Sequence, residues 1–127
     1  MSDDEGEIKV LVVDDTDHVR RMLDTMLSMD GFEVVGTAGD GPTAITEADA
    51  LDPHVVVIDY MMPGMDGLEC ARQIRDRRPD QLVIIYTAFI DAAVEQAAAD
   101  AGVALCVGKV EGLHLLEQEI RRLVRLR

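Results

Sequence analysis

"VVVIDYMMPGMDG", residues 55–67, opens as four consecutive branched apolar side chains and breaks at a single aspartate. Four such residues without alternation form the pattern of a strand buried on both faces, as in a parallel sheet covered by helices. A strand of that kind has no easy place for a carboxylate, which is costly to desolvate unless a partner compensates it. Asp59 therefore either serves a turn or performs chemistry. The Pro63-Gly64 and Asp66-Gly67 pairs that follow mark a loop rather than a continuing strand.

The same apolar signature recurs on both sides of this stretch, in "IKVLVV" (8–13), "LVIIY" (82–86) and "VALCV" (103–107), with a weaker run "FEVVGTA" at 32–38. Segments with helical period separate them. Val19, Met22, Leu23, Met26 and Leu27 fit i, i+3, i+4, i+7, i+8, which puts Met22 and Met26 in the core beside the leucines and ends the helix at Gly31. "GPTAITEADAL" (41–51) carries Pro42 in its first turn, and Pro53 lies past its end. Asp66 is placed to cap a third helix, with Glu69 completing a capping box and Pro79 stopping it; Met61, Met62 and Met65 pack the loop before it. "DAAVEQAAADAG" (91–102) closes on Gly102, and "GLHLLEQEIRRLVRLR" (112–127) sets Leu113, Leu116, Ile120 and Leu123 on one face. A strand followed by a helix, five times over, predicts an open, doubly wound α/β sheet.

At 127 residues and 48% hydrophobic, the chain suits one domain over 1–127 with an acidic extension at 1–7. A net charge of −13 repels nucleic-acid phosphates and anionic membranes, so neither is an expected partner of this domain. No apolar run approaches the roughly 18 residues that cross a bilayer, and "MSDDEGE" is acidic where a secretory signal is basic. A cytoplasmic location is expected. Cys70 and Cys106 lack any paired spacing and read as free thiols, and His18, His54 and His114 show no ligand-like pattern.

In sheets of this class, ligands bind beyond the carboxyl ends of the strands. Each strong strand delivers a chemically capable side chain to that edge: Asp14 and Asp15, Asp59, Thr87 and Lys109. Carboxylates brought within about 4 Å repel by roughly 4 kcal/mol per pair at an effective dielectric of about 20, so they bind a cation, hold a proton or stay apart. An all-oxygen set without histidine or thiolate favours a hard ion, Mg²⁺ before Ca²⁺. A lysine and a hydroxyl across the same site supply what a transferring phosphoryl group needs, and Asp59 then makes sense as a nucleophile forming an aspartyl phosphate.

"VLVVDD" (10–15), "VIDYMMPGMDG" (57–67), Thr87 and Lys109, in this order and spacing, resemble the receiver domain of two-component response regulators over residues 8–125. The resemblance implies a flavodoxin-like, five-stranded parallel sheet of order 2-1-3-4-5 with five helices. It implies that Asp59 takes a phosphoryl group from a sensor histidine kinase or phosphotransfer protein. Mg²⁺ would be held by the side chains of Asp15 and Asp59 and the backbone carbonyl of Met61, with Asp14 acting mostly through water. Lys109 would pair with the phosphoryl oxygens. The Thr87 hydroxyl would bond one of them and draw its loop inward, Ala88 leaving room, and the surface of helix 4, strand 5 and helix 5 would switch. An output partner or a following effector domain and a homodimer are both compatible with the family.

Two positions depart from the family pattern. Cys106 stands where a Tyr or Phe usually does, and Val110 follows the lysine where Pro is usual. Both leave the chemistry in place and remove the usual aromatic switch, so output is expected through the loops at 87–91 and 108–112. Met61 and Phe89, apolar at positions that tune lifetime in this family, imply slow self-dephosphorylation. Three other readings compete. A haloacid-dehalogenase-type phosphatase needs a second aspartate where Met61 stands, and a nucleotide or flavin binder needs glycines where "DDTDH" (14–18) follows the first strand. A degenerate receiver acting as a phosphorylation-independent interaction module is the third.

Overall fold

The structure, a computed structural model, describes residues 7–126; most of the acidic extension, 1–6, and the last residue of the fifth expected helix lie outside the described residues. Five strands, β1 (Lys9–Val13), β2 (Glu33–Ala38), β3 (Val55–Ile58), β4 (Leu82–Thr87) and β5 (Leu105–Gly108), alternate with α1 (Asp17–Met29), α2 (Gly41–Leu51), α3 (Gly67–Arg77), α4 (Ala92–Asp100) and α5 (Leu113–Arg125). All strand pairs are parallel, and the sheet order is β2-β1-β3-β4-β5, as the resemblance implies.

The absence of hydrophobic alternation in the strands follows from burial on both faces. Leu11, Val13, Val56, Ile58, Val83 and Ile85 pack under α2, α3 and α4. Their neighbours Val10, Val12, Val55, Val57, Ile84 and Tyr86 pack under α1 and α5. Past Lys9, the residues of β1, β3 and β4 thus have a helix layer to meet whichever way they point, whereas Glu33 and Thr37 of the edge strand β2 are exposed.

Local departures from the sequence reading have physical causes. The strands expected from Phe32 and Val103 begin later, at Glu33 and Leu105, because both residues close the preceding helix instead. Gly31 and Gly102 take positive φ (96° and 84°), and the next N–H returns to the helix, Phe32 to the Leu27 carbonyl and Val103 to that of Ala98, each at 3.0 Å. A buried apolar residue just past a left-handed glycine is how such helix ends are sealed. Met22 and Met26 are not core: they are 49% and 41% exposed, while Leu23 and Leu27 are buried. The row 19, 23, 27 faces the sheet, and the row 22, 26 is rotated off it towards solvent. The capping box at α3 is half made. Asp66 accepts from the Glu69 N–H at 2.9 Å, but the Glu69 carboxylate is taken by Arg72 and Gln73 at 2.6 and 3.0 Å. Of the loop methionines, Met62 is buried and Met61 is exposed.

Helix α5 carries one residue against the pattern. Glu117 is buried between Leu116 and Ile120, and its Oε2 has no hydrogen-bond partner. Burial, and then the Asp30 carboxylate beside it, push its carboxyl up to about 7 against the pull of Arg121. The folded state therefore prefers Glu117 protonated. The associated stability is fully present below about pH 4.5 and is lost as pH rises through about 7. Glu117→Gln is expected to flatten that decline and to raise stability at mildly alkaline pH by on the order of 1 kcal/mol. Urea unfolding across this pH range checks it; an unchanged pH profile contradicts the assignment.

Candidate functional site

The sheet register sets the site. Val13 pairs with Ile58, and Ile58 with Ile85, so β1, β3 and β4 run level, and Thr87 pairs with Gly108 at the end of β5. The residues that follow these positions project from one edge. Asp14 is held by its N–H to the Ala38 carbonyl at 3.0 Å and Asp59 by its N–H to the Val13 carbonyl at 2.9 Å. Both carboxylates are fixed by backbone groups of the next turn: Asp14 Oδ1 accepts from the Thr16 N–H at 2.9 Å and Asp59 Oδ1 from the Met61 N–H at 3.3 Å.

Asp14, Asp15 and Asp59 each offer a carboxylate oxygen within 4.8 Å of the others. Asp14 and Asp59 are buried and Asp15 is exposed, so the group opens to solvent on one side. Lys109 crosses from the other side, its Nζ 3.0 Å from Asp14 Oδ2 and 3.5 Å from Asp59 Oδ2. One ammonium thus bridges the two buried carboxylates of the three. Burial pushes the Asp59 carboxyl above its ordinary value and the Asp14 charge adds to this; Lys109, Thr87 and the Met61 N–H pull the other way without restoring it. For Lys109, burial works against the ammonium, but the bond to Asp14 and the charges of Asp59 and Asp14 outweigh it and hold its pKa above the usual lysine value.

Thr87 is fully buried, and its Oγ1 has no hydrogen-bond partner. The hydroxyl is near enough to favour the Asp59 charge, yet it makes no bond. A buried hydroxyl without an acceptor is costly, and Thr87 has a donor to offer an acceptor placed beside Asp59. The structure brings together every side chain expected there, namely Asp14, Asp15, Asp59, Thr87 and Lys109, with Met61 beside Asp59. The donor set is all oxygen, clustered and partly open, which fits a hard cation such as Mg²⁺.

Two supporting residues escaped the sequence reading. Arg20 donates from Nη1 to the Asp14 carbonyl at 2.6 Å and pairs with Asp17, bracing the acidic turn from the first helix. Its only signal was its position, one turn into a helix that starts just after the acidic pair. Gly67 begins α3 against the site: a Cβ there would lie 2.4 Å from the Asp59 carbonyl oxygen and 2.8 Å from Tyr60 Cα. The second glycine in "PGMDG" is thus needed for close approach, where Gly64 serves a turn with φ of 80°.

Comparison with known proteins agrees with this geometry. The model of the response regulator receiver domain family matches residues 10–121, and the chain belongs to that family. It is 39% identical over 115 residues to the response regulator GacA of Pseudomonas protegens, covering 90% of this chain and 54% of that protein. The chain therefore spans about half the length of such relatives. Among solved structures, a LuxR-family two-component response regulator from Aurantimonas superposes with a TM-score of 0.91 at 28% identity, over 96% of this chain and 88% of that one. The chemotaxis protein CheY4 of Vibrio cholerae gives a TM-score of 0.85 at 27% identity, covering 92% and 98%. The chain is thus a receiver domain of a response regulator, a signalling module, and no helix among the described residues is long and apolar enough to cross a membrane.

Charge imbalance at the site carries a stability prediction. A folded-state carboxyl that holds its proton more tightly than in the unfolded chain costs stability once ionised, that is, as pH rises through its raised value. In metal-free buffer at neutral pH, Asp59→Asn is expected to stabilise the protein by about 1 kcal/mol, and Lys109→Met to destabilise it by about 2 kcal/mol. Urea unfolding of the two variants measures both, and a destabilised Asp59→Asn or a stabilised Lys109→Met would sink the electrostatic account.

Proposed function

We propose that this receiver domain accepts a phosphoryl group on Asp59 from the phosphohistidine of a sensor histidine kinase or phosphotransfer protein, with Mg²⁺ as cofactor. The observation that carries this reading is the arrangement around Asp59: a nearly buried carboxylate, one lysine bridging it to Asp14, and a buried hydroxyl without an acceptor.

In the transfer, a carboxylate oxygen of Asp59 bonds to phosphorus as the phosphorus–nitrogen bond breaks, and the imidazole leaves. The Met61 N–H keeps the carboxylate oriented for in-line attack. Lys109 lies within reach of Asp59 Oδ2 and stays with the negative charge as it spreads onto the phosphoryl oxygens. The Thr87 hydroxyl gains an acceptor in the new oxygens, which favours an inward position of the loop that follows β4 and biases the population of the helix 4, strand 5 and helix 5 surface. Asp15 and Asp59 side chains and the Met61 carbonyl would hold Mg²⁺, with Asp14 acting mostly through water. When bound, the ion supplies charge neutralisation between the carboxylates and the incoming phosphoryl group. Met61 and Phe89 are both exposed apolar residues and neither can align an attacking water, which supports slow loss of the phosphoryl group.

The roles of the output partner, of an effector domain and of a homodimer belong to the same proposal. Intact mass after incubation with a small phosphoryl donor tests its core. One phosphoryl group gained by wild type only with Mg²⁺, and none by Asp59→Asn, is the expected result. No gain by a folded, Mg²⁺-binding wild type would favour the phosphorylation-independent interaction module.

A further inference from the structure

Between the start of α4 and the end of β5 lies a groove of about 460 Å³. Ala88, Ala92, Cys106 and Gly108 contribute only small side chains or none to its lining. At its margin stands Phe89, 61% exposed, and Val110 is 88% exposed. Asp91, Glu95 and Glu111 line the groove as well, so what it offers a phenyl ring now in water is the space left by its small residues rather than a wholly apolar wall.

Phe89 sits on the three-residue loop 88–90, which joins the last residue of β4 to the cap of α4. Thr87 is held in the ladder with Gly108, and the Asp91 carboxylate caps α4 by accepting from the Val94 N–H at 2.8 Å. Any shift of Thr87 towards the site is therefore taken up by Ala88, Phe89 and Ile90. Thr87 itself has a reason to shift, because its buried hydroxyl lacks an acceptor until one is placed on Asp59.

We propose that Phe89 is the moving part of the output switch: when Asp59 is phosphorylated, the loop 88–90 is drawn inward and the Phe89 ring closes over Cys106, filling the groove. This inference rests on the phosphoacceptor reading above. Before modification, the α4 and β5 face presents an open recess. Afterwards it presents a filled one, and the small side chain at 106 is what leaves room for a ring from the neighbouring loop.

Cys106 is a built-in reporter. It is half-buried, whereas Cys70 is 0% exposed and burial pushes its thiol up to about 12. A partly phosphorylated sample is pulsed with a small maleimide and read by intact mass, so that each molecule reports both modifications. Phosphorylated wild-type molecules are expected to alkylate at least about fivefold more slowly than unphosphorylated ones in the same tube, and Phe89→Ala to show no such difference. Equal rates in wild type, or equal protection in Phe89→Ala, overturn the inference while leaving the phosphoacceptor role intact. Absence of any phosphoryl gain overturns both. As a second variant, Phe89→Trp places a fluorophore in a chain that has no tryptophan. Its emission is expected to move to the blue on phosphorylation, and an unmoved spectrum counts against closure.

Discussion

Three carboxylates share one sheet edge with a single ammonium group. That imbalance is the constraint on which the rest of the molecule depends. At separations of a few ångströms, unscreened carboxylates repel by several kcal/mol, and the two buried ones are held together by the backbone bonds that place them and by Lys109. Asp14 and Asp59 follow directly on strands packed between two helix layers, buried throughout except for Lys9 at the start of β1. Lys109 then bridges the two buried carboxylates and leaves the edge short of positive charge. The surplus suits a hard cation, and Lys109 and the unsatisfied hydroxyl of Thr87 are the groups that the proposed phosphoryl transfer would use.

The scaffold is tightly packed where the charges are held and more open beside the loop 88–90. Level register across β1, β3 and β4 fixes the carboxylates, and the missing Cβ of Gly67 lets α3 start against the Asp59 backbone. By contrast, the loop 88–90 carries an exposed ring beside a groove edged by small residues. On the proposed reading, function is divided between a packed half that holds the electrostatic imbalance and an open margin at the loop 88–90 that responds to its relief.

Much of this is legible in the order of the amino acids. Non-alternating apolar runs announce strands buried on both faces, and the chemically capable residues all stand at the carboxyl ends of those runs. What periodicity does not resolve is which of two adjacent helix rows meets the sheet, so Met22 and Met26 read as core beside Leu23 and Leu27. Nor does it tell a first strand residue from an apolar plug that seals a helix, as at Phe32 and Val103. Glu69 sits at capping-box spacing, but Arg72 and Gln73 compete for its carboxylate within the same helix. Glu117 is visible in principle, as an acid between Leu116 and Ile120 in an apolar stripe. Its burial beside Asp30 depends on how α5 meets the end of α1, which is tertiary information.

The most direct test of the central electrostatic claim is the titration of the Asp59 side-chain carboxyl carbon by NMR, with and without Mg²⁺. Without the ion, the account predicts a midpoint above that of an ordinary aspartate, because burial and Asp14 outweigh Lys109. With the ion, the midpoint is expected to fall, since added positive charge favours the carboxylate. An ordinary midpoint that Mg²⁺ does not move would contradict the claim that this edge is built around unbalanced negative charge.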